Sequence, residues 1–83
     1  MDVEFTPKAL DEFRALPGAT QKRVQKIAQR LKDWPNVSGA KALSGNLAGW
    51  YRIRTGDYRI RFRVEQNRVI IDKVGHRKDV YED

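Results

Sequence analysis

Polar and apolar residues alternate over Asp2–Phe5, a pattern typical of a short β-strand. Thr6 and Pro7 follow, and a threonine N-cap with proline at the first helical position indicates the start of a helix. The predicted helix continues until the Pro-Gly pair at residues 17–18 ends it. Its apolar stripe consists of Leu10, Phe13 and Leu16.

A second helix is predicted to begin near Thr20 and to end at Pro35. Its apolar residues recur at helical spacing and form one face: Val24, Ile27, Ala28, Leu31 and Trp34. The other face carries cations at every fourth position, namely Lys22, Lys26 and Arg30. Two interpretations stay open for this row, because such cations contact RNA phosphates in some proteins and simply solvate a helix face in others.

Residues 36–49 are rich in glycine, serine and asparagine and are predicted to form a loop. Three strands follow: one on each side of Gly56, and a third over residues 69–74. The expected fold is α+β, with the N-terminal strand and a two-helix hairpin packed on one face of a mostly antiparallel four-stranded sheet. We expect a single domain over residues 1–83.

The segment over residues 50–64 reads WYRIRTGDYRIRFRV and contains five arginines. Gly56 and Asp57 predict a two-residue turn, which fixes the pairing of the flanking strands. Paired residues share a sheet face, so four arginines are predicted to lie together on one face: Arg52, Arg54, Arg59 and Arg61. Trp50 and Arg63 extend that face, and the apolar residues take the opposite one.

Like charges that face one another in a sheet destabilise it, by up to about 1 kcal/mol for each pair. Planar guanidinium groups bind phosphate oxygens in bidentate fashion and stack on bases. A phosphodiester partner therefore accounts for the crowding of arginines better than the alternative of a solvated face. On this hypothesis Arg61 and Arg63 bind RNA.

The charge balance supports a polyanionic partner, since 17 lysines and arginines against 11 acidic residues give a net charge of +6. A basic domain without such a partner is the alternative. The chain has no cysteine and one histidine, so a metal site is not expected, and no cofactor is implied. No apolar run is long enough for a signal sequence or membrane span, which makes the cytoplasm the expected compartment.

Three segments in this order resemble the RelE/ParE superfamily of toxins from bacterial type II toxin-antitoxin systems. They are KALSG at residues 41–45, WYRIRTGDYRIRF at residues 50–62 and VGHRKDVY at residues 74–81. The resemblance implies a cognate antitoxin as partner. It favours the RelE-like branch, whose members cut messenger RNA in the ribosomal A site through attack by the ribose 2′-hydroxyl. Ribosome and messenger RNA would then be further partners.

The same resemblance assigns catalytic roles to Arg52, Arg54, Arg59, Arg77 and Tyr81. Arginine stays protonated and can stabilise phosphate charge, but it cannot accept the 2′-hydroxyl proton. The resemblance favours Tyr81 as the base, although a tyrosine with its reference pKa of about 10 needs a lowering of roughly 3. Histidine ordinarily titrates near neutral pH, so His76 is the alternative acid or base.

Two other functions remain open. ParE-like members of the superfamily poison DNA gyrase and require neither Tyr81 nor a 2′-hydroxyl. A non-catalytic module that binds RNA or an antitoxin would use the arginines only to hold an anionic partner. The presence of Arg77 and Tyr81 beside Arg52 and Arg54 favours the RelE-like activity.

Overall fold

The computed structural model describes residues 1–77, which form two helices and a five-stranded sheet. In chain order the elements are β1 (Asp2–Phe5), α1 (Pro7–Arg14), α2 (Gly18–Leu31), β2 (Lys41–Ala42), β3 (Trp50–Thr55), β4 (Tyr58–Glu65) and β5 (Arg68–His76), with a short 3-10 helix at Gly45–Leu47. The predicted α+β class is confirmed, and both helices pack on one face of the sheet.

The strand order is β1-β5-β4-β3-β2, with β1 parallel to β5 and all other neighbours antiparallel. Four strands were predicted, and the fifth is β2, which lies inside the predicted loop. It has only two residues, Lys41 and Ala42, and pairs them with Arg52 and Tyr51. A strand of two residues is too short to show an alternation of polar and apolar residues in the sequence. It is a strand because it pairs with β3.

The turn from β1 into α1 is anchored at the sheet edge. The Thr6 backbone N–H donates to the Ile71 carbonyl at 2.9 Å, and the Thr6 hydroxyl accepts from the Ala9 N–H at 3.1 Å. The predicted N-cap is therefore confirmed. Helix α1 begins where β1 leaves its partner β5.

Beyond Ile71, the edge of β5 that faced β1 is covered by a side chain of α1. Glu12 Oε1 accepts a hydrogen bond from the Val74 backbone N–H at 3.0 Å. Its other oxygen accepts from Lys73 Nζ at 3.2 Å. One carboxylate thus satisfies a backbone group that would otherwise need a strand partner.

The core lies between the helices and the sheet. Helix α2 contributes buried side chains from its predicted apolar face: Val24, Ile27 and Leu31. The sheet contributes Phe62, which is fully buried and packs against Tyr51 and Trp34 with ring centroids 5.5 Å and 5.3 Å away. The apolar residues of β3 and β4 therefore face the helices, as the hairpin pattern predicts.

A β-bulge interrupts the pairing of β4 with β5. Arg61 pairs with Lys73 and Phe62 pairs with Ile71, so Asp72 is the additional residue. An additional residue reverses the alternation of every side chain that follows it. Val74 is accordingly buried in the same core as Ile71.

Replacing the buried ring at the centre of this core should lower stability strongly. We expect Phe62→Ala to reduce the free energy of unfolding by about 3 to 5 kcal/mol, because it leaves a cavity and removes two aromatic contacts. Urea unfolding followed by circular dichroism measures the change. Phe13→Ala is the matched control, since Phe13 is only half-buried and should cost less. Equal losses would contradict this account of the core.

The contribution of Glu12 can be divided between its hydrogen bond and its charge. We expect Glu12→Ala to lower the free energy of unfolding by about 1 to 3 kcal/mol, because the Val74 N–H loses its acceptor. Glu12→Gln keeps an acceptor oxygen and should lose less. The same unfolding assay compares the two variants. If the glutamine variant lost as much as the alanine variant, charge pairing with Lys73 would be the larger contribution.

Candidate nucleic-acid interface

The β3–β4 hairpin brings the predicted phosphate-binding residues onto one surface. Its turn has two residues, and Gly56 adopts a φ of 60°, a conformation that favours glycine. The pairs on the sheet face opposite the helices are, from the turn onward, Arg54 with Arg59, Arg52 with Arg61, and Trp50 with Arg63. The predicted register is confirmed, and we refer to the surface formed by these six residues as the arginine face.

Arg52, Arg54 and Arg59 differ in exposure. Arg52 and Arg59 are buried, with 7% and 8% of their surface exposed, whereas Arg54 is exposed. Arg59 Nη1 lies 3.5 Å from the Tyr58 carbonyl oxygen. Electrostatic attraction strengthens where water is excluded. An anion that reaches Arg52 and Arg59 is therefore bound more strongly than it would be by solvated arginines.

Arg61 is oriented by the bulge residue. Its Nε and Nη2 donate to the two carboxylate oxygens of Asp72 at 3.0 Å and 2.7 Å. This bidentate hydrogen bonding raises the pKa of Arg61 above its ordinary value and outweighs burial, which lowers it. The repulsion expected between Arg52 and Arg61 is thus offset by a carboxylate on the adjacent strand.

Trp50 lies beside two guanidinium groups. The central carbons of Arg61 and Arg63 are 5.2 Å and 5.0 Å from the centroid of its ring. Such cation–π contacts contribute about 0.5 to 2 kcal/mol each, depending on solvation. Arg63 also donates from Nε to Glu65 at 3.2 Å. We refer to Trp50, Arg61 and Arg63 together as the Trp50 stack.

Carboxylates accompany the arginines at the end of the sheet away from the Gly56 turn. Arg63 pairs with Glu65 at 3.2 Å, and Arg68 pairs with Glu4 at 2.8 Å. Arg54 and Arg59 form the pair nearest the turn. The surface therefore has a charge-compensated part next to the Trp50 stack.

The bulge decides on which face the last described residues lie. Strict alternation from Ile71 would place His76 on the arginine face, but the additional residue Asp72 shifts it to the helix face, where it pairs with Tyr58. By the same count, position 77 falls on the arginine face. The Arg77 backbone N–H donates to the Asp57 carbonyl at 2.7 Å, and its side chain is exposed. Arg77 therefore lies beside the turn that joins the Arg54 and Arg59 strands.

His76, the alternative acid or base, lies in a different environment from the arginines. Its ring is 5.7 Å from that of Tyr58, in an edge-to-face arrangement. Both line a pocket of about 430 Å³ that also contains Leu16 and Pro17 from the connection between the helices. By register His76 lies on the helix face of β5, whereas Arg59 lies on the other face of the sheet.

The cations of α2 also lie away from the arginine face, because α2 covers the opposite side of the sheet. Lys22 and Lys26 line a groove of about 570 Å³ together with Phe5 and Phe13. Arg30 donates to the Ser38 carbonyl and hydroxyl oxygens and so fastens the helix to the following loop. The three residues stay a predicted RNA contact, but they form a surface separate from the hairpin arginines.

Tyr81 lies outside the described residues. Within residues 1–77 no group of three or more histidine, cysteine or acidic side chains is arranged to hold a metal ion. In the same part of the chain, neither helix has the length and apolar character required to span a membrane.

Two parts of the surface were not predicted from the sequence. Asp72 was not identified as a partner of Arg61, although an acidic residue within the apolar run VIIDKV was a signal for it. The contact between Trp50 and two arginines was also missed, although the predicted register places Trp50 opposite Arg63. Both belong to the charge-compensated part of the surface.

The arrangement is suited to holding a phosphodiester. Arg52, Arg54 and Arg59 lie close together on the arginine face, and the backbone of Arg77 is anchored beside the turn. Guanidinium groups stabilise the added negative charge of a pentavalent phosphate but do not accept a proton at neutral pH. These arginines therefore supply electrostatic stabilisation, and another residue must act as the base.

Comparison with known proteins identifies relatives over almost the whole chain. Residues 3–81 match the family model for the ParE toxin of the type II toxin-antitoxin system parDE. Toxin RelE3 of Methanocaldococcus jannaschii is 29% identical over 85 residues, which cover 99% of this chain and 97% of that protein.

Solved structures show the same fold. The RelBE2 toxin-antitoxin complex of Mycobacterium tuberculosis contains a chain with 28% identity and a TM-score of 0.79, and the match covers 90% of this chain and 95% of that one. The RelB-RelE complex of Methanococcus jannaschii matches at 28% identity and a TM-score of 0.77, over 93% of each chain. The chain therefore belongs to the ParE toxin family of type II toxin-antitoxin systems, within the RelE/ParE superfamily.

Proposed function

We propose that this toxin is a ribosome-dependent endoribonuclease that cleaves messenger RNA through the ribose 2′-hydroxyl and so inhibits translation. The observation that carries the proposal is the hairpin register, which brings Arg52, Arg54 and Arg59 onto one sheet face. In this mechanism the three arginines bind the scissile phosphate. They also stabilise the charge that develops on it as the 2′-oxygen bonds to phosphorus and the bond to the 5′-oxygen of the next nucleotide breaks, with that oxygen taking up a proton as it leaves.

Arg77 completes the phosphate site in this proposal. Its backbone is hydrogen-bonded to Asp57 at the turn, and its exposed side chain extends from a position next to the Arg54–Arg59 pair. Tyr81 takes the 2′-hydroxyl proton, a role that rests on the resemblance to RelE. Cations such as those of the arginine face would favour the ionised form of a tyrosine that comes close to them and so assist that step.

Dependence on the ribosome follows from the few kinds of catalytic group in the proposed site, which are arginines and one tyrosine. A site that supplies electrostatic stabilisation but little orientation of its substrate gains most from a second body that positions the RNA. The ribosome would fill that role in the cytoplasm. Naked RNA should accordingly be cut slowly.

We further propose a cognate antitoxin that covers the arginine face. The related chains from M. tuberculosis and M. jannaschii were solved in complex with antitoxins. A net charge of +6 favours fast, salt-sensitive association with an acidic segment. Such a segment would block access of RNA to the arginines that bind the scissile phosphate.

A second candidate, inhibition of DNA gyrase, is favoured by the match to a ParE family model. The two functions make different demands on the arginine face. Gyrase inhibition requires a protein surface but no attack by a 2′-hydroxyl. Supercoiling and messenger cleavage must therefore be measured with the same protein.

Removing one buried arginine should impair cleavage without unfolding the protein. In a translating extract we expect Arg59→Ala to slow messenger cleavage by roughly 10² to 10³, the usual effect of losing one group that stabilises transition-state charge. Mapping of messenger 5′ ends measures the rate. Lys8→Ala removes the same charge from an exposed position on α1 and is the control. Intact messenger RNA together with loss of gyrase supercoiling would instead favour the second candidate.

The identity of the base can be tested by comparing two substitutions. Tyr81→Phe should abolish cleavage because it removes the proton acceptor, whereas His76→Gln should leave the rate within a few-fold, because His76 lies on the other side of the sheet. The same extract assay, run between pH 6 and 9, compares the variants. Loss of cleavage in the histidine variant with retention in the phenylalanine variant would reverse the assignment.

A further inference from the structure

The Trp50 stack adjoins the arginines that are proposed to bind the scissile phosphate. Trp50 is half-buried, and the two guanidinium carbons lie 5.2 Å and 5.0 Å from its ring centroid. The side chains of Arg61 and Arg63 remain 18% and 33% exposed. The stack is therefore a set of flat groups that solvent reaches from the open side of the sheet.

The guanidinium groups of the stack are already neutralised. Arg61 donates two hydrogen bonds to Asp72, and Arg63 donates one to Glu65. A guanidinium paired with a carboxylate adds little net attraction for a phosphate. It still offers a planar face on which an aromatic group can stack.

The stack also lies next to the phosphate-binding arginines. Arg61 pairs directly with Arg52 across the two strands, and Trp50 is two residues from Arg52 on β3. Residues two apart on a strand lie about 7 Å from one another on the same face. Leu43 is buried next to Trp50, where its backbone N–H donates to the Trp50 carbonyl. The backbone that carries the Trp50 ring is therefore held in place beside Arg52.

We propose that the Trp50 stack is a nucleobase-binding platform, on which an RNA base next to the phosphate held by Arg52, Arg54 and Arg59 stacks. The inference rests on the RNA substrate proposed above and adds a second contact to it. Single-stranded nucleic acids are commonly bound by combining a basic track for the backbone with aromatic and arginine surfaces for the bases. Here the two functions occupy adjoining parts of one sheet face.

An acidic peptide is the competing occupant, and charge argues against it. Such a peptide would be held through its negative charge, whereas Asp72 and Glu65 already accept hydrogen bonds from the two guanidinium groups of the stack. A base needs no net charge and gains from flat, partly desolvated surfaces. The test below includes an acidic peptide so that the two occupants are compared directly.

The test follows Trp50 in the intact chain. The protein is labelled with 5-fluorotryptophan, which gives resonances for its two tryptophans, assigned with Trp50→Phe. It is titrated at low salt with a 2′-O-methyl oligonucleotide, which resists cleavage, and with an abasic oligonucleotide of the same length. We expect the base-bearing oligonucleotide to shift the Trp50 resonance, while the resonance of Trp34, which packs against Phe62, and both resonances in the abasic titration stay nearly unchanged.

Affinity provides the second measurement. Trp50→Leu should weaken binding of the base-bearing oligonucleotide by about 5- to 100-fold, the usual effect of losing one stacked base. It should leave binding of the abasic oligonucleotide and the dependence on salt concentration unchanged. Arg54→Ala should instead weaken both oligonucleotides and reduce the salt dependence by about one phosphate contact. Trp50→Phe should retain part of the affinity.

The outcomes separate this inference from the endoribonuclease proposal. The platform would be overturned if the two oligonucleotides bound with equal affinity, or if neither bound at low salt. It would also be overturned if the Trp50 resonance did not move on binding, or moved further with an acidic peptide. If the base-dependent shift is found while messengers stay intact in the extract, the platform stands and the endoribonuclease proposal fails. The titration uses labelled wild-type protein, so it tests the platform even if the Trp50→Leu variant does not fold.

Discussion

The alternation of side chains along a hairpin closed by two residues is the constraint on which the rest of the structure depends. Gly56 accepts a backbone conformation that favours glycine, and this sets β3 and β4 in one register. That register sends Ile53 and Ile60 to the helices and Arg52 and Arg59 to the other side. A shift of one residue would bury guanidinium groups in the core and expose its apolar side chains, so stability and the arginine face are determined together.

A second constraint is the additional residue at Asp72, which has three consequences. It provides the carboxylate that holds Arg61, it returns Val74 to the core, and it exchanges the faces of His76 and Arg77. Glu12 then accepts from the Val74 N–H at the sheet edge, where β1 has already ended. One irregularity in β5 thus joins α1, the core and the candidate phosphate site.

Much of this could be predicted from the sequence, because the hairpin and α2 are governed by local rules. The turn at Gly56, the helical spacing of Val24, Ile27 and Leu31, and the Thr6 cap each depend on residues close together in the chain. Strand β2 could not be predicted, since two residues show no period. The bulge depends on packing between strands that are distant in the chain. Its signal in the sequence is that the buried residues Ile71 and Val74 are three positions apart, whereas regular alternation places residues of one face two apart. The position of His76 depends on that bulge.

The separation of the two sheet faces also bears on how one scaffold can serve different targets. Core side chains occupy every second position of β3 and β4, on the face that packs against the helices. The intervening positions carry Arg52, Arg54, Arg59 and Arg61, and a change there alters charge and shape without changing the volume of the core. A scaffold of this kind can exchange one macromolecular target for another by substitutions at alternate residues, while its folding remains determined by the residues between them.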